Sequence, residues 1–453
     1  MTQLLKSKFA PTNTDNLFSG IWIRWQALTL GERLACANIV LIPIWWISGI
    51  YRHMSPFLLL GVIGYEWQKY KEIRLKRPTI AVVALLLFAM YQIAKILFAY
   101  DVPGREKFSN IFVMTICPAI WLWYIGSNNV RLRLKAIAWA FTFVVVLMLG
   151  FWVLLQFVLP ETLFFPNNIP TLATLITGQT TEETGFTQTN NPYYLLPYQI
   201  AGESLRRYNF FFVYPEYTAL IVGCIGFMAL DLKNRLWSWL LLLACVFIIV
   251  LSGTRIAWLA FPVVIGSRYI IGNFSKRYIP AIAFALIAVV SFTALSVPPA
   301  TRLLENQVTQ STEAIGDVRS DSTEVRAEIY SKTIEELRSN EDALIWGHAA
   351  RGKPVQNISF ARVGSHSFIL GTLLYLNGIV GTVIFLVFWG ALFYWLYKTR
   401  SGRPLACFCI LLFYSLVSIT LELVYGNSTS ALMIVLCAAL REPKPSLQGV
   451  HHA

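Results

Sequence analysis

Residues 69–100 read KYKEIRLKRPTIAVVALLLFAMYQIAKILFAY. The segment opens on a cationic cluster, Lys69, Lys71, Arg74, Lys76 and Arg77, and continues from Pro78 to Tyr100 as an almost unbroken apolar run. A bilayer core is about 30 Å thick and takes roughly 20 apolar residues of helix to cross. Lipid offers no partner to a free N–H or C=O, so such a run crosses as a helix. A basic loop followed by an apolar run of this length is the repeating unit of a polytopic helical membrane protein.

The rest of the chain agrees. Of the 453 residues, 56% are hydrophobic and 13% charged, the latter about half the roughly 25% usual in soluble domains. The net charge of +13 does not point to nucleic acid, because the cations stand in short clusters between apolar runs rather than on a soluble basic face. A soluble enzyme, a disulfide scaffold and a disordered regulator are all disfavoured. The seven cysteines (Cys36, Cys117, Cys224, Cys245, Cys407, Cys409 and Cys437) fall inside apolar runs without a C-x-x-C pair. They read as small buried hydrophobes, not as metal ligands or disulfides. The opening MTQLLKSKFAPTNTDN lacks the basic-then-apolar pattern of a signal peptide, so the first apolar run is expected to be a retained helix. No internal repeat or low-complexity tract stands out.

The expected fold is all-α with about twelve transmembrane helices, at 33–51, 54–66, 78–100, 109–127, 135–159, 210–231, 236–253, 255–273, 278–297, 366–397, 404–425 and 428–441. The tenth is expected to break near Gly378. Cytoplasmic loops collect Lys and Arg. Alternating the spans from an inside N-terminus puts every basic cluster inside: 69–77, Arg131 to Lys135, Lys233 with Arg235, Arg268 to Arg277, Lys398 to Arg403, and Arg441 with Lys444. The expected organisation is then a cytoplasmic segment 1–32, spans one to nine over 33–297 with an outer loop at 160–209, a large periplasmic loop 298–365, spans ten to twelve over 366–441, and a cytoplasmic tail 442–453. Both termini are expected in the cytoplasm. Within the large loop, 321–340 reads as a helix lying on the membrane face, capped by Asp321 with Glu324 in capping-box position. Val325, Ile329 and Thr333 form its stripe, with Tyr330, Ile334 and Leu337 alongside.

This topology gathers three polar residues from distant segments at the outer mouth of the spans: Arg207 in LRRYNFFFVYPEY, Arg255 in LSGTRIAW and His366 in VGSHSFIL. A guanidinium grips phosphate oxygens with a planar fork, and two can neutralise a diphosphate. Histidine, with a pKa near 6.5, can take a proton from an attacking hydroxyl. No acidic cluster suggests a divalent metal, so arginines would hold the leaving group. Together these groups suit glycosyl transfer from a lipid diphosphate. Each also has a bland reading. An arginine at a helix end often snorkels, and a histidine at a loop–helix junction often only caps. Arg206 rivals Arg207, and His348 in ALIWGHAARG rivals His366. Arg326 and Arg351 on the outer loop are weaker candidates for glycan or phosphate contacts. Glu422 is expected to pair with an arginine of the mouth, and His451 and His452 to stand apart in the tail.

The three segments together resemble the O-antigen ligase and Wzy-type polymerase superfamily of bacterial envelopes. One family motif has an arginine, an aromatic stretch, and a proline about eight residues on; here Arg207 precedes Pro215, which favours it over Arg206. A second, S-x-S/T-R, appears as Ser252-Gly253-Thr254-Arg255. A third runs G-x-G, spacer, H-N/S-x-x-L, G-x-x-G, and appears as Trp346-Gly347-His348, His366-Ser367-Phe368-Ile369-Leu370 and Gly378-Ile379-Val380-Gly381. The chain departs from the pattern at His348-Ala349, at Ser367 and at Glu216, and the match covers mainly 200–440. The resemblance implies a GT-C-like, inverting, metal-independent glycosyltransferase of the bacterial inner membrane with a periplasmic active site and no cofactor. Its donor would be a glycan on undecaprenyl diphosphate, and its partners a chain-length regulator and a flippase, not nucleic acid. A polymerase extends a lipid-linked repeat unit of O-antigen, capsule or exopolysaccharide, whereas a ligase loads lipid A–core. The Gly364-Ser365-His366-Ser367 version leans toward a polymerase. A secondary transporter is the alternative from another class, disfavoured because transporters hold their polar residues at the midplane in paired broken helices.

Overall fold

A computed structural model describes residues 17–50, 53–73, 75–98, 108–158, 208–212, 214–272, 320–356, 358–422 and 428–442. The expected ninth span, the outer loop 160–209 up to residue 207, residues 298–319 of the large loop, the first residues and most of the tail lie outside the described residues.

Helices dominate. In chain order they are α1 Leu30–Val40, α2 Ile42–Ser48, α3 Met54–Tyr70, α4 Ile80–Phe98, α5 Phe108–Asn128, α6 Leu134–Phe157, α7 Pro215–Ala229, α8 Arg235–Leu251, α9 Arg255–Gly272, α10 Ser320–Ser339, α11 Glu341–Trp346, α12 Phe368–Lys398, α13 Ala406–Val417 and α14 Ser428–Ala439. Strands β1 Phe18–Ser19 and β2 Trp22–Ile23 form a small hairpin before α1, and β3 Pro354–Val355 and β4 Ile358–Arg362 form another in the large loop. Among the described residues, four helices are long and apolar enough to cross a bilayer: α4, α5, α6 and α12. A fifth span results if α1 and α2, bent by 53°, count as one. Pro43 at the start of α2 brings no N–H to the helical ladder, which accounts for the bend. The apolar helices α7, α8 and α13 are shorter.

The helices are apolar on more than the packed side, as lipid-facing helices are. Helix α8 buries Leu241, Leu242, Cys245, Ile248 and Ile249 and exposes Leu236, Trp239, Leu240, Leu243, Val246 and Val250. Helix α7 is central: every residue but Glu216 is buried. Its small residues admit large neighbours, as in close membrane packing. A Cβ on Gly223 would lie 2.7 Å from Phe413, and one on Gly226 2.8 Å from Phe261. Phe227, Phe261 and Phe413 fill the space with ring centroids 4.8–6.3 Å apart. The seven cysteines are all free and buried.

Hydrogen bonds define two ends of the bundle. At one end the basic loops meet. Arg133 forms a buried 2.7 Å ion pair with Glu32 and donates to the Ala27 carbonyl. The Leu132 N–H reaches the Ala439 carbonyl, and Arg403 donates to the carbonyls of Cys437 and Leu440. Arg268 pairs with Asp231, which also accepts from the Ala406 N–H, and the Lys76 N–H donates to Ser127. The opposite end carries the large loop. There the expected stripe of α10 is corrected in one place. Ile329, Thr333 and Leu337, four residues apart, are buried, while Ile334 is 40% exposed. The stripe packs on β3, β4 and Tyr375, so α10 rests on protein. Helix α10 already includes Asp321, which therefore lies in the first turn and not at the cap position before it.

Candidate active site

The site is built on a break in α12. Its first part, Phe368–Leu376, is wound as a π-helix, and Gly378 then leaves helical geometry at φ 62°, ψ −172°. The break expected at Gly378 is therefore present. It is held by a second glycine with positive φ, Gly347. A Cβ on Gly347 would fall 2.3 Å from the Leu376 carbonyl oxygen, and one on Gly378 2.4 Å from that of Ile345. The two chain segments thus cross backbone against backbone, which only glycine permits at positive φ. Carbonyls at the break are received by α4: Lys95 donates to those of Leu376 and His348, and Tyr91 to those of Asn377 and Trp346.

Gly364 (φ 77°) lets the chain turn over the Tyr375 ring, where a Cβ would stand 2.1 Å away. The turn delivers His366 to the mouth of α12. Ser367 then caps that helix, accepting from the Leu370 N–H and donating to the Ile419 carbonyl. His366 itself has φ 64°, costly for a residue with a side chain. Three contacts hold it. Its N–H donates to the Glu422 carboxylate, its carbonyl accepts from the Tyr330 hydroxyl at 3.1 Å, and its Nδ1 lies 2.7 Å from the Ser365 hydroxyl.

Glu422 ties the surroundings together. It forms an ion pair with Arg351, accepts from the Thr372 hydroxyl, and its carbonyl accepts from Tyr217 of α7. Burial pushes His366 down to about 4, and the charges of Arg326 and Arg351 act the same way, against the opposing Glu216 at the start of α7. The imidazole is therefore neutral at pH 7 and sits in a cationic field.

Of the sequence-predicted residues, the structure brings together His366, Arg326, Arg351 and Glu422. Glu422 meets Arg351 of the loop; of the arginines expected to pair with it at the mouth, Arg206 and Arg207 lie outside the described residues. Arg255 is the first residue of α9, after a tight turn in which Gly253 has φ 62° and Ser252 bonds Thr254. Hydrogen bonds put that turn at the same end: the Leu251 carbonyl accepts from Tyr208, the neighbouring Asn209 carbonyl accepts from Thr218, and Tyr217 reaches Glu422. His348 is placed otherwise. Its ring stacks on Tyr375 at 4.0 Å, and Tyr375 donates to Glu336 at 2.5 Å. Burial lowers its pKa too. Arg206, Arg207, His451 and His452 lie outside the described residues. Sequence reasoning gave no role to Glu216, Tyr330, Ser365 or Thr372. The only signal available for Glu216 was that it stands where the resembled motif commonly has Asn.

Apolar helices that face outward and a polar cluster at one end of the bundle define a multi-pass membrane protein with a site at one mouth. Residues 239–385 match the Wzy_C family, described as O-antigen ligase. Enzymes of this family transfer glycans in polysaccharide biosynthesis, and the match implies a lipid-linked glycan as substrate. The matched stretch contains Arg255, Arg326, Arg351 and His366 and stops short of Glu422. No curated protein matches the chain.

Proposed function

We propose that the protein is a polysaccharide polymerase. It transfers glycan from undecaprenyl diphosphate to a lipid-linked repeat unit on the outer face of the bacterial inner membrane. The observation that carries this reading is a neutral, half-buried histidine in the field of Arg326 and Arg351, at the end of the bundle opposite the basic loops. Basic loops favour the cytoplasm, so the histidine end faces outward, in a twelve-span topology with both termini inside. In support, the short apolar helices run between the same two ends as the long ones.

The acceptor hydroxyl attacks C1 of the donor sugar from the face opposite the diphosphate. A C1–O bond forms, the C1–O bond to phosphate breaks with inversion, and undecaprenyl diphosphate leaves with the electron pair. His366 takes the hydroxyl proton. Arg207 and Arg255 hold the diphosphate and supply the charge stabilisation with no metal required. A free-site pKa of about 4 makes a weak base. An arriving diphosphate offsets the arginine charges and raises the histidine toward its ordinary value. The base thus becomes effective when the donor is bound.

The test is purified protein with undecaprenyl-diphosphate-linked repeat units, with and without lipid A–core. A product ladder in the absence of lipid A–core supports polymerase. Product only in its presence assigns a ligase, and no glycan transfer under either condition overturns the reading.

A further inference from the structure

The hydrogen-bond directions around Ser365 fix which nitrogen of His366 carries the proton. The Ser365 hydroxyl oxygen lies 2.6 Å from the Arg362 carbonyl oxygen, 3.2 Å from the Arg362 N–H nitrogen and 2.7 Å from His366 Nδ1. A carbonyl only accepts and a backbone N–H only donates. Two oxygens 2.6 Å apart need a hydrogen between them, since otherwise lone pairs would face each other at that separation. The one hydroxyl hydrogen is therefore committed to the Arg362 carbonyl. The carbonyl also accepts from the Ser365 N–H, so the turn would survive rotation of the hydroxyl, but the short O···O contact would not. Oγ accepts from the Arg362 N–H and has one lone pair left, directed at Nδ1.

We propose that Ser365 is a positioning residue that holds neutral His366 as the Nδ1–H tautomer and so leaves the lone pair on Nε2. A carboxylate does this for histidine in hydrolase triads. Here a hydroxyl does it, in a turn closed by its own neighbour. The choice of a neutral partner has a consequence. A carboxylate would raise the histidine's proton affinity in the empty site, whereas Ser365 sets the tautomer without adding charge. The charged groups facing the ring are then Arg326 of α10, Arg351 of the loop after α11, and Glu216 of α7, with Glu422 on the backbone N–H. Ser365 is 2% exposed, so water does not substitute for it freely.

The inference rests on His366 being the proton acceptor, and one set of measurements separates the two claims. Full-length protein labelled with 15N-histidine in nanodiscs gives distinct shifts for protonated and unprotonated ring nitrogens, with His366→Gln identifying the signal. At pH 7 the expected result is a protonated Nδ1 and an unprotonated Nε2. In Ser365→Ala the Nε2–H tautomer gains population, and kcat falls about tenfold or more with KM little changed, within the range general-base catalysis supplies. A wild-type ring protonated on Nε2, or an unaltered tautomer in Ser365→Ala, overturns the role of Ser365. Full polymer formation by His366→Gln overturns the base role instead, and leaves the tautomer assignment to be judged on the spectra.

Discussion

Glu422→Ala removes one side chain and three contacts: the ion pair to Arg351, the acceptor for the Thr372 hydroxyl and the acceptor for the His366 N–H. The Arg351 and Glu422 side chains are 17% and 12% exposed. Breaking a buried pair by deleting one partner costs about 3–5 kcal/mol, because the other charge is left unpaired. Partial exposure places this case at the lower end, about 3 kcal/mol. All seven cysteines are buried, so a thiol-reactive dye reports unfolding directly, and Glu422→Ala is expected to react at a temperature several degrees below wild type. Polymer formation should fall about a hundredfold, as when a reacting group is misplaced by ~1 Å. The double variant Arg351→Met/Glu422→Met separates stability from function. With no orphaned charge it should recover most of the thermal loss, yet remain inactive, because His366 still lacks its anchor. Wild-type stability in Glu422→Ala, or wild-type activity in the double variant, would refute the reasoning.

Gly378→Ala puts a Cβ 2.4 Å from the Ile345 carbonyl oxygen at φ 62°. It should cost several kcal/mol, read as a sharp loss of folded, dye-resistant protein. Lys95→Met leaves the Leu376 and His348 carbonyls without their cation. It should cost about 1–3 kcal/mol and lower activity without changing the sugar transferred, checked by dye-monitored melting and by product composition. His366, lowered to about 4, binds fewer protons folded than unfolded between that value and 6.5. Its contribution to stability therefore falls as pH drops through this window. For activity, the acid limb of kcat/KM should lie near 4 and that of kcat higher, since the bound diphosphate raises the histidine. Arg351→Met should move the kcat/KM limb upward, and coincident limbs in wild type would contradict the account.

What the sequence revealed depended on the range of the interaction. Hydropathy adds up locally, so the spans at 80–98 and 368–398 stand out, and Gly378 marks a break because only glycine tolerates its φ. The basic loops announced their common end for the same reason. Pairing is not local. Nothing in the neighbourhood of Glu422 distinguishes Arg351 from Arg255 as its partner. That choice is made by the crossing of Gly347 over Gly378, which carries the segment bearing Arg351 back to the bundle. Ile334 illustrates the limit on a smaller scale. Helical periodicity put it beside the buried stripe, but α10 packs on a narrow hairpin that covers only the line of Ile329, Thr333 and Leu337. Ser365 was invisible as a functional residue, because a serine beside a histidine is informative only once the direction of its hydrogen bond is known.

The central claim is that arginines and a histidine from distant segments act on one diphosphate-linked glycan at one mouth of the bundle. The most direct measurement is product formation from a purified lipid-linked repeat unit by wild type, Arg255→Ala and His366→Gln, each verified as folded by dye accessibility. The account predicts a polymer ladder from wild type and none from either variant. A wild-type ladder from Arg255→Ala would contradict it.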